Sequence, residues 1–188
     1  MKLNHLRILA LLLCLLLPLS ACAQTTQPEA AADELPNVID VLNEYTTLDL
    51  SEHLGKTMLI NFFTEWCAYC MQEMPDMKEV NDLYDPESFQ MILVHVWDGE
   101  DESNTESVKE RFGMQHMTFF EDTDRMVASV VGVPGYPATL IVNPDGTLAA
   151  GQSGMLTYDA LTQFLDEMGV ERMAAELTCS KPLPRRSP

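Results

Sequence analysis

The chain has little positive charge. Its 188 residues include 11 lysines and arginines against 29 aspartates and glutamates, which gives a formal net charge of −18 at pH 7. A surface this acidic is repelled by the phosphates of nucleic acids and by anionic lipid headgroups. The composition therefore excludes a nucleic-acid-binding function and electrostatic docking on a membrane.

The apolar run near the start of the chain, residues 8–17, is too short to cross a bilayer, which requires about 20 apolar residues. It follows a basic region that contains Lys2 and Arg7, and this order is typical of an export signal. The segment ends in Leu19-Ser20-Ala21-Cys22, which resembles the bacterial lipoprotein box. The resemblance implies cleavage before Cys22 and attachment of a diacylglycerol to its sulfur. The alternative is an ordinary secretory signal with a chance cysteine.

Four segments are predicted along the chain. Residues 1–21 are the signal that is removed. Residues 22–36 hold the lipidated cysteine and a flexible tether, rich in alanine, glutamine, threonine and glutamate, with a reach of about 20 Å. Residues 37–170 are long enough for one well-buried domain, and residues 171–188 form a C-terminal tail. Because two or more acyl chains hold a protein stably at a membrane, we expect a domain that is lipid-anchored to a bacterial cell membrane, outside the cytoplasm.

Cysteine is also sparse, with five in the chain. Cys14 leaves with the signal and Cys22 carries the lipid, so Cys67, Cys70 and Cys179 remain, and Cys179 has no evident partner. Disulfides persist outside the cytoplasm, so the close pair is either a redox couple or a structural staple. A staple that closes so short a loop removes little chain entropy, which favours the redox couple.

The cysteine pair stands between a predicted strand and a predicted helix. Trp66-Cys67-Ala68-Tyr69-Cys70 follows an apolar run at residues 58–63 and precedes a predicted helix at residues 71–84. A thiol at a helix N-terminus lies in the positive end of the helix dipole, which stabilises its thiolate. The second thiol can then attack a mixed disulfide formed by the first. This order is typical of a thioredoxin-type redox site, with Cys67 as nucleophile and Cys70 as resolving thiol.

Strands and helices alternate along the rest of the domain. Apolar runs and turn signals predict strands at residues 46–50, 59–63, 91–97, 118–120, 138–142 and 147–151. Apolar periodicity predicts helices at residues 71–84, 105–112, 125–131 and 158–168, the first with a kink at Pro75. This pattern predicts an α/β fold, a three-layer sandwich whose central mixed sheet has helices on both faces and an antiparallel hairpin at its edge.

Several motifs in this order resemble the extracytoplasmic thioredoxin-like proteins of the TlpA/ResA type, from about residue 48 to residue 168. The matching pieces are Leu54-Gly55-Lys56, Asn61-Phe62-Phe63, Trp66-Cys67, Glu73, Pro75, the stretch at residues 132–139 and the turn Asn143-Pro144-Asp145-Gly146. The resemblance implies a thioredoxin-like, lipoprotein-anchored thiol–disulfide oxidoreductase with no cofactor beyond its redox-active disulfide. It favours a reductase of disulfides in exported proteins, such as apocytochrome c or an exported methionine sulfoxide reductase. Electrons would come from a membrane thiol shuttle resembling the CcdA/DsbD proteins.

The resemblance also implies roles for residues outside the cysteine pair. Pro137 matches a cis-proline that lies against the disulfide, and Tyr136 stands where smaller residues are usual. Trp66 and Tyr136 are expected to contact the substrate. Glu73 matches an acidic residue near the thiols, where burial would raise its pKa and let it accept the proton of Cys70. The alternative for Glu73 is a first-turn glutamate that favours the helix dipole.

Four other functions stay open at this point. A disulfide oxidase of the same fold is one, since potentials in this fold span about 150 mV and the Ala68-Tyr69 dipeptide does not fix the direction of electron flow. Zinc binding would need a second pair of ligands, and His95 and His116 are too far apart in sequence for the usual histidine spacing. A non-enzymatic copper chaperone of this fold carries a wider Cys-x-x-x-Cys. A peroxiredoxin would have a proline after Thr64, where this chain has glutamate.

The anchor prediction is tested by Cys22→Ala. The variant should lose its lipid and move from the membrane fraction to the soluble fraction, while the domain stays folded behind its tether. Cys14→Ala, which leaves the lipoprotein box intact, is the matched control and should stay membrane-bound. A Cys22→Ala protein that remains in the membrane fraction through detergent-free fractionation would contradict the lipoprotein assignment.

Overall fold

The computed structural model describes residues 37–46, 49–97 and 104–174. The predicted signal and tether at residues 1–36, with the lipidation site Cys22, and Cys179 in the tail lie outside these residues. The helices are α1 (Val38–Tyr45), α2 (Ala68–Leu83), α3 (Thr105–Phe112), α4 (Met126–Val130) and α5 (Tyr158–Glu167). The strands are β1 (Thr57–Phe63), β2 (Phe89–Trp97), β3 (Thr118–Thr123), β4 (Ala138–Val142) and β5 (Leu148–Ser153), and a 3-10 turn spans Leu50–His53.

The five strands form one mixed sheet in the order β3-β2-β1-β4-β5. The pairs β1–β2 and β2–β3 are parallel, whereas β4 runs antiparallel to β1 and forms a hairpin with β5 at the edge. This arrangement confirms the predicted mixed sheet with an antiparallel hairpin at its edge.

The sheet is covered by helices on both faces. Because successive strand residues point to opposite faces, Leu59 and Phe63 pack in one core with α2, α3 and α5, and Ile60 and Phe62 pack in the other with α1 and α4. All seven residues of β1 are buried, as a central strand between two helical layers requires. The predicted three-layer α/β sandwich is confirmed.

The structure differs from the sequence prediction at the start of the domain. The predicted strand at residues 46–50 is wrong, because Thr46 is the C-cap of α1 and Leu50 begins the 3-10 turn. The helix α1 itself was not predicted. Its N-cap is Asn37, whose side chain accepts a hydrogen bond from the N–H of Ile39 at 2.8 Å, and the helix buries Ile39 and Leu42. Its eight residues are too few for a strong periodic signal, so its position follows from packing against α4.

The helix α2 starts three residues earlier than predicted, at Ala68, with Cys67 as its N-cap. Its buried side runs through Cys70, Met74 and Met77 at helical spacing, and Pro75 lies inside it on the exposed side. At the other end, the N–H of Met173 donates to the carbonyl of Leu83 at 2.9 Å. The folded domain therefore continues into the first residues of the predicted tail. No helix among the described residues is both long and apolar enough to cross a membrane.

The topology brings two loops to the same edge of the sheet. The strand β1 ends at Phe63, and four residues later Cys67 caps α2. Because β4 is antiparallel to β1, with Ala138 opposite Phe62, the loop that leads into β4 lies beside the end of β1. Residues 64–70 and residues 131–137 thus meet at the carboxyl end of β1, where ligands bind in open α/β sheets.

Candidate redox site

Cys67 and Cys70 lie at disulfide distance, with their Cα atoms 5.2 Å apart. The backbone N–H of Cys70 donates to Sγ of Cys67 at 3.2 Å, so the sulfur occupies the N-cap position of α2. Hydrogen bonding from the backbone and the positive end of the helix dipole both favour a thiolate at this sulfur. The geometry therefore supports Cys67 as the activated thiol of the pair.

The two cysteines differ in exposure. Cys67 is 7% exposed and Cys70 is fully buried. A substrate disulfide therefore reaches the sulfur of Cys67 first, and Cys70 can react only with a partner already bound to Cys67. This asymmetry fits the predicted roles of nucleophile and resolving thiol.

The loop before β4 lies against the disulfide. The peptide bond between Tyr136 and Pro137 is cis, so that part of the prediction is confirmed. The carbonyl oxygen of Tyr136 lies 3.6 Å from Sγ of Cys67. The backbone at Tyr136 is thus next to the atom that would bond to a substrate, in a position where an extended substrate segment can run alongside it.

Three aromatic side chains border the disulfide, and we call them the aromatic rim: Trp66, Tyr69 and Tyr136. Trp66 is 55% exposed and Tyr69 65% exposed. The rings of Trp66 and Tyr136 meet edge to face with centroids 6.3 Å apart. Exposed aromatic surface of this kind is typical of binding sites for protein partners. The roles of Trp66 and Tyr136 as substrate contacts remain predictions. The sequence analysis missed Tyr69, although its position between the two cysteines indicates that it lies at the site.

Arg125 completes this border and was also missed. Its guanidinium carbon lies 5.7 Å from the centroid of the Tyr136 ring, a cation–π geometry. Arg125 and Tyr136 are 11 positions apart and belong to different loops, so nothing in the sequence pattern brings them together.

Glu73 lies on the buried side of the active-site helix α2, and its side chain is fully buried. Its Oε1 accepts a hydrogen bond from Nδ2 of Asn61 at 2.9 Å, and its Oε2 accepts one from the backbone N–H of Leu156 at 3.1 Å. The same Nδ2 of Asn61 donates to Oγ1 of Thr139, which is the register partner of Asn61 on β4, at 3.1 Å. One carboxyl group thus joins α2 to the central strand and to the segment before α5.

Burial raises the pKa of Glu73 from its ordinary 4.5 to about 7. The nearby charge of Asp76 adds to this rise, while the hydrogen bonds from Asn61 and Leu156 favour the carboxylate and lower the pKa. Glu73 is the sixth residue of α2, and the first turn of that helix contains no acidic residue. Since dipole effects fall off within the first turn, the helix-dipole explanation of Glu73 is wrong.

Some buried polar atoms have no hydrogen-bond partner among the described residues: Oδ1 of Asn61, Oγ1 of Thr64 and both ring nitrogens of His95. The His95 ring stacks on Phe63 with centroids 5.1 Å apart. Oδ1 of Asn61 belongs to the amide that already contacts Glu73. When Glu73 is ionised, Nδ2 of Asn61 donates to the carboxylate. When Glu73 is protonated, rotation of the same amide lets Oδ1 accept a hydrogen bond from the carboxyl proton.

No group of three or more histidine, cysteine, aspartate or glutamate side chains among residues 37–46, 49–97 and 104–174 is arranged to hold a metal ion. His116 pairs with the carboxylate of Asp82 at 2.7 Å in an exposed position. That contact lies at the far end of α2 from Cys67.

Comparisons with known proteins agree with this geometry. The model of the AhpC/TSA family matches residues 30–150. The thiol-disulfide oxidoreductase ResA of Geobacillus thermodenitrificans is 29% identical over 119 residues, which cover 63% of this chain and 67% of that protein. A secreted disulfide oxidoreductase of Mycobacterium tuberculosis superposes with a TM-score of 0.54 at 20% identity, covering 64% of this chain and 87% of the other. The exposed lipoprotein thioredoxin Etrx1 of Streptococcus pneumoniae superposes with a TM-score of 0.51 at 23% identity. The match covers 63% of this chain and 89% of the other. The predicted thioredoxin-like fold and the resemblance to ResA-type proteins are confirmed.

The raised pKa of Glu73 predicts a pH dependence of stability. A carboxyl group whose pKa is higher in the folded than in the unfolded state contributes stability below about pH 4.5, and this contribution is lost as the pH rises through 7. Titration of Glu73 should lower the unfolding free energy of the wild type by about 2 to 3 kcal/mol between pH 5 and pH 8. The Glu73→Gln variant should lack this decrease. The measurement is urea unfolding at both pH values with the disulfide kept oxidised, so that neither cysteine titrates.

The matched control for this measurement is Glu79→Gln. Glu79 is an exposed carboxylate on the same helix, so its variant should keep the wild-type pH dependence. A Glu73→Gln protein with the same pH dependence as wild type would show that Glu73 titrates normally.

Proposed function

The chain belongs to the AhpC/TSA family, and from this premise we propose that it is a thiol–disulfide oxidoreductase that reduces disulfide bonds of exported proteins. The observation that carries the proposal is the Cys67–Cys70 disulfide at the N-terminus of α2, with Cys67 the more exposed cysteine of the pair and next to the loop of Tyr136 and Pro137. The named activity of the relative ResA, thiol–disulfide exchange, favours this chemistry over peroxide reduction on the same fold.

The reaction begins with the dithiol form of the pair. The thiolate of Cys67 attacks one sulfur of the substrate disulfide, that S–S bond breaks, and the other substrate sulfur leaves as a thiolate. The thiolate of Cys70 then attacks Sγ of Cys67, which forms the Cys67–Cys70 disulfide and releases the second substrate thiolate. Two electrons pass from the cysteine pair to the substrate, and the two substrate thiolates take up two protons.

Glu73 is the general base of the second step in this proposal. Cys70 is fully buried and must lose a proton before it can attack, with no direct access to bulk water. Glu73 lies three residues after Cys70, on the same side of α2, and a pKa near 7 leaves a large share of it ionised at neutral pH. It accepts the proton of Cys70 and then passes it to the leaving substrate thiolate.

The oxidised pair must be reduced again for turnover. In the proposal a membrane dithiol carrier resembling the CcdA/DsbD proteins attacks Sγ of Cys67, the more exposed sulfur, and returns two electrons by the same exchange. The redox-active disulfide is then the only redox group that the protein requires.

The place of action is outside the cytoplasm, on a lipid anchor at Cys22. The order of a basic region, a short apolar run and Leu19-Ser20-Ala21-Cys22 supports this part of the proposal. Two proteins of the same fold support it too, since one is described as secreted and the other as an exposed lipoprotein. The anchor and the tether at residues 22–36 would keep the domain close to a membrane-bound electron donor.

Cysteine variants test both the direction of attack and the identity of the partners. If Cys67 attacks and Cys70 resolves, Cys70→Ser forms the mixed disulfide but cannot release it. Expressed in the native cell, it should accumulate covalent complexes that vanish on reduction, and mass spectrometry should identify the trapped proteins. Cys67→Ser is the matched control and should trap far fewer, because Cys70 is buried.

The trapped proteins decide between the candidate functions. Cytochrome apoproteins, methionine sulfoxide reductase or a membrane thiol carrier among them would support the reductase. A quinone-linked oxidase partner would reverse the direction of electron flow. Equal trapping by both variants, or none by either, would contradict the roles of Cys67 and Cys70.

A further inference from the structure

The turn before α4 has an unusual backbone. Asp124 and Arg125 both adopt positive φ angles, 61° and 58°, although neither is glycine. Side chains rarely occupy this region because Cβ approaches the following carbonyl, and residues held there cluster at ligand-binding and active sites. Arg125 is also the N-cap residue that directly precedes α4.

The turn is held in place by a buried carboxylate. Asp122 is 1% exposed, and its two oxygens accept hydrogen bonds from the N–H groups of Val127 and Ala128, each at 2.8 Å. The residues on both sides of Asp124 and Arg125 are thereby fixed. The turn cannot relax without breaking these two hydrogen bonds, so the backbone of Arg125 is pre-organised rather than mobile.

The side chain of Arg125 extends over the Tyr136 ring. It is exposed and takes part in no ion pair among the described residues. A guanidinium placed over an aromatic ring keeps N–H groups available, and their fork matches the two oxygens of a carboxylate. The cation–π contact therefore positions Arg125 while leaving its charge and donors for a further partner.

Tyr136 contacts both Arg125 and the reacting sulfur. The guanidinium of Arg125 is 5.7 Å from the Tyr136 ring, and the carbonyl oxygen of that tyrosine is 3.6 Å from Sγ of Cys67. The Trp66 ring meets the same Tyr136 ring edge to face. In the proposed reaction a protein segment bound at Cys67 contacts Tyr136, so a residue near its cysteine comes within reach of Arg125.

From these observations we propose that Arg125 binds a carboxylate of the substrate, an aspartate or glutamate close in sequence to the cysteine attacked by Cys67. The inference rests on the proposed function, since it concerns the substrates of the same disulfide. With a net charge of −18 the protein as a whole repels acidic partners. A fixed cation beside the disulfide reverses that repulsion locally and selects substrates with an acid at this position.

The test uses three cyclic disulfide peptides that differ in one residue next to the attacked cysteine: glutamate, glutamine or lysine. The rate constant for oxidation of the reduced protein by each peptide is measured by stopped flow. Wild type should react about threefold to tenfold faster with the glutamate peptide than with the lysine peptide at low salt, and this ratio should shrink in 1 M salt, where the Debye length falls to about 3 Å.

Three variants separate Arg125 from the overall charge of the protein. Arg125→Gln should bring the glutamate-to-lysine ratio to about one, and Arg125→Lys should give an intermediate ratio because it keeps the charge without the planar fork. The matched control is Lys56→Gln, which removes one positive charge at the other end of β1, about 20 Å from the active-site end. It should keep the wild-type ratio.

The outcomes for the inference and for the proposed function are distinguishable. A wild-type protein that reduces all three peptides at equal rates, or an Arg125→Gln variant with the wild-type ratio, would overturn the role of Arg125 alone. A reduced wild-type protein that reduces none of the peptides, the uncharged one included, would contradict the proposed function and the inference with it.

Discussion

The carboxyl group of Glu73 is the contact on which the rest of the site depends. It sits in the interior and is held by Asn61 of the central strand and by the backbone of Leu156 before α5. These hydrogen bonds tie the active-site helix to the sheet and to the last helix. Since burial raises the pKa of the carboxyl group to about 7, about half of the Glu73 side chains carry a proton at neutral pH, which suits the proposed role as proton acceptor for Cys70.

The site divides into a buried half and an exposed half with different tasks. Cys70, Glu73 and Asn61 are buried, and in the proposed reaction they handle the proton of the resolving step. In the same proposal, Cys67, the aromatic rim and Arg125 contact the substrate. The loop of Tyr136 and Pro137 places a backbone carbonyl oxygen 3.6 Å from Sγ of Cys67. Substitutions in the rim should therefore change which proteins react, and substitutions below it should change how the rate depends on pH.

Much of the fold and part of the site could be predicted from the sequence, for physical reasons that differ between residues. Unbroken apolar runs at residues 59–63 and 91–97 marked the central strands, and the pair Cys67 and Cys70 at the start of an amphipathic helix marked the redox site. The cis bond before Pro137 followed only from family resemblance. The contact of Glu73 with the N–H of Leu156 could not be predicted, because a backbone donor has no sequence signature. Arg125 was missed because its place depends on a turn that its residue type does not favour.

The titration of Glu73 itself tests the account most directly. The side-chain carboxyl carbon of Glu73 can be followed by NMR in the oxidised protein from pH 4 to pH 9, with Glu73→Gln to assign its signal. The account predicts a midpoint at about pH 7, because burial raises the pKa of Glu73 more than the two hydrogen bonds from Asn61 and Leu156 lower it. A midpoint near 4.5, the ordinary value for glutamate, would contradict the proposal that Glu73 accepts the proton of Cys70.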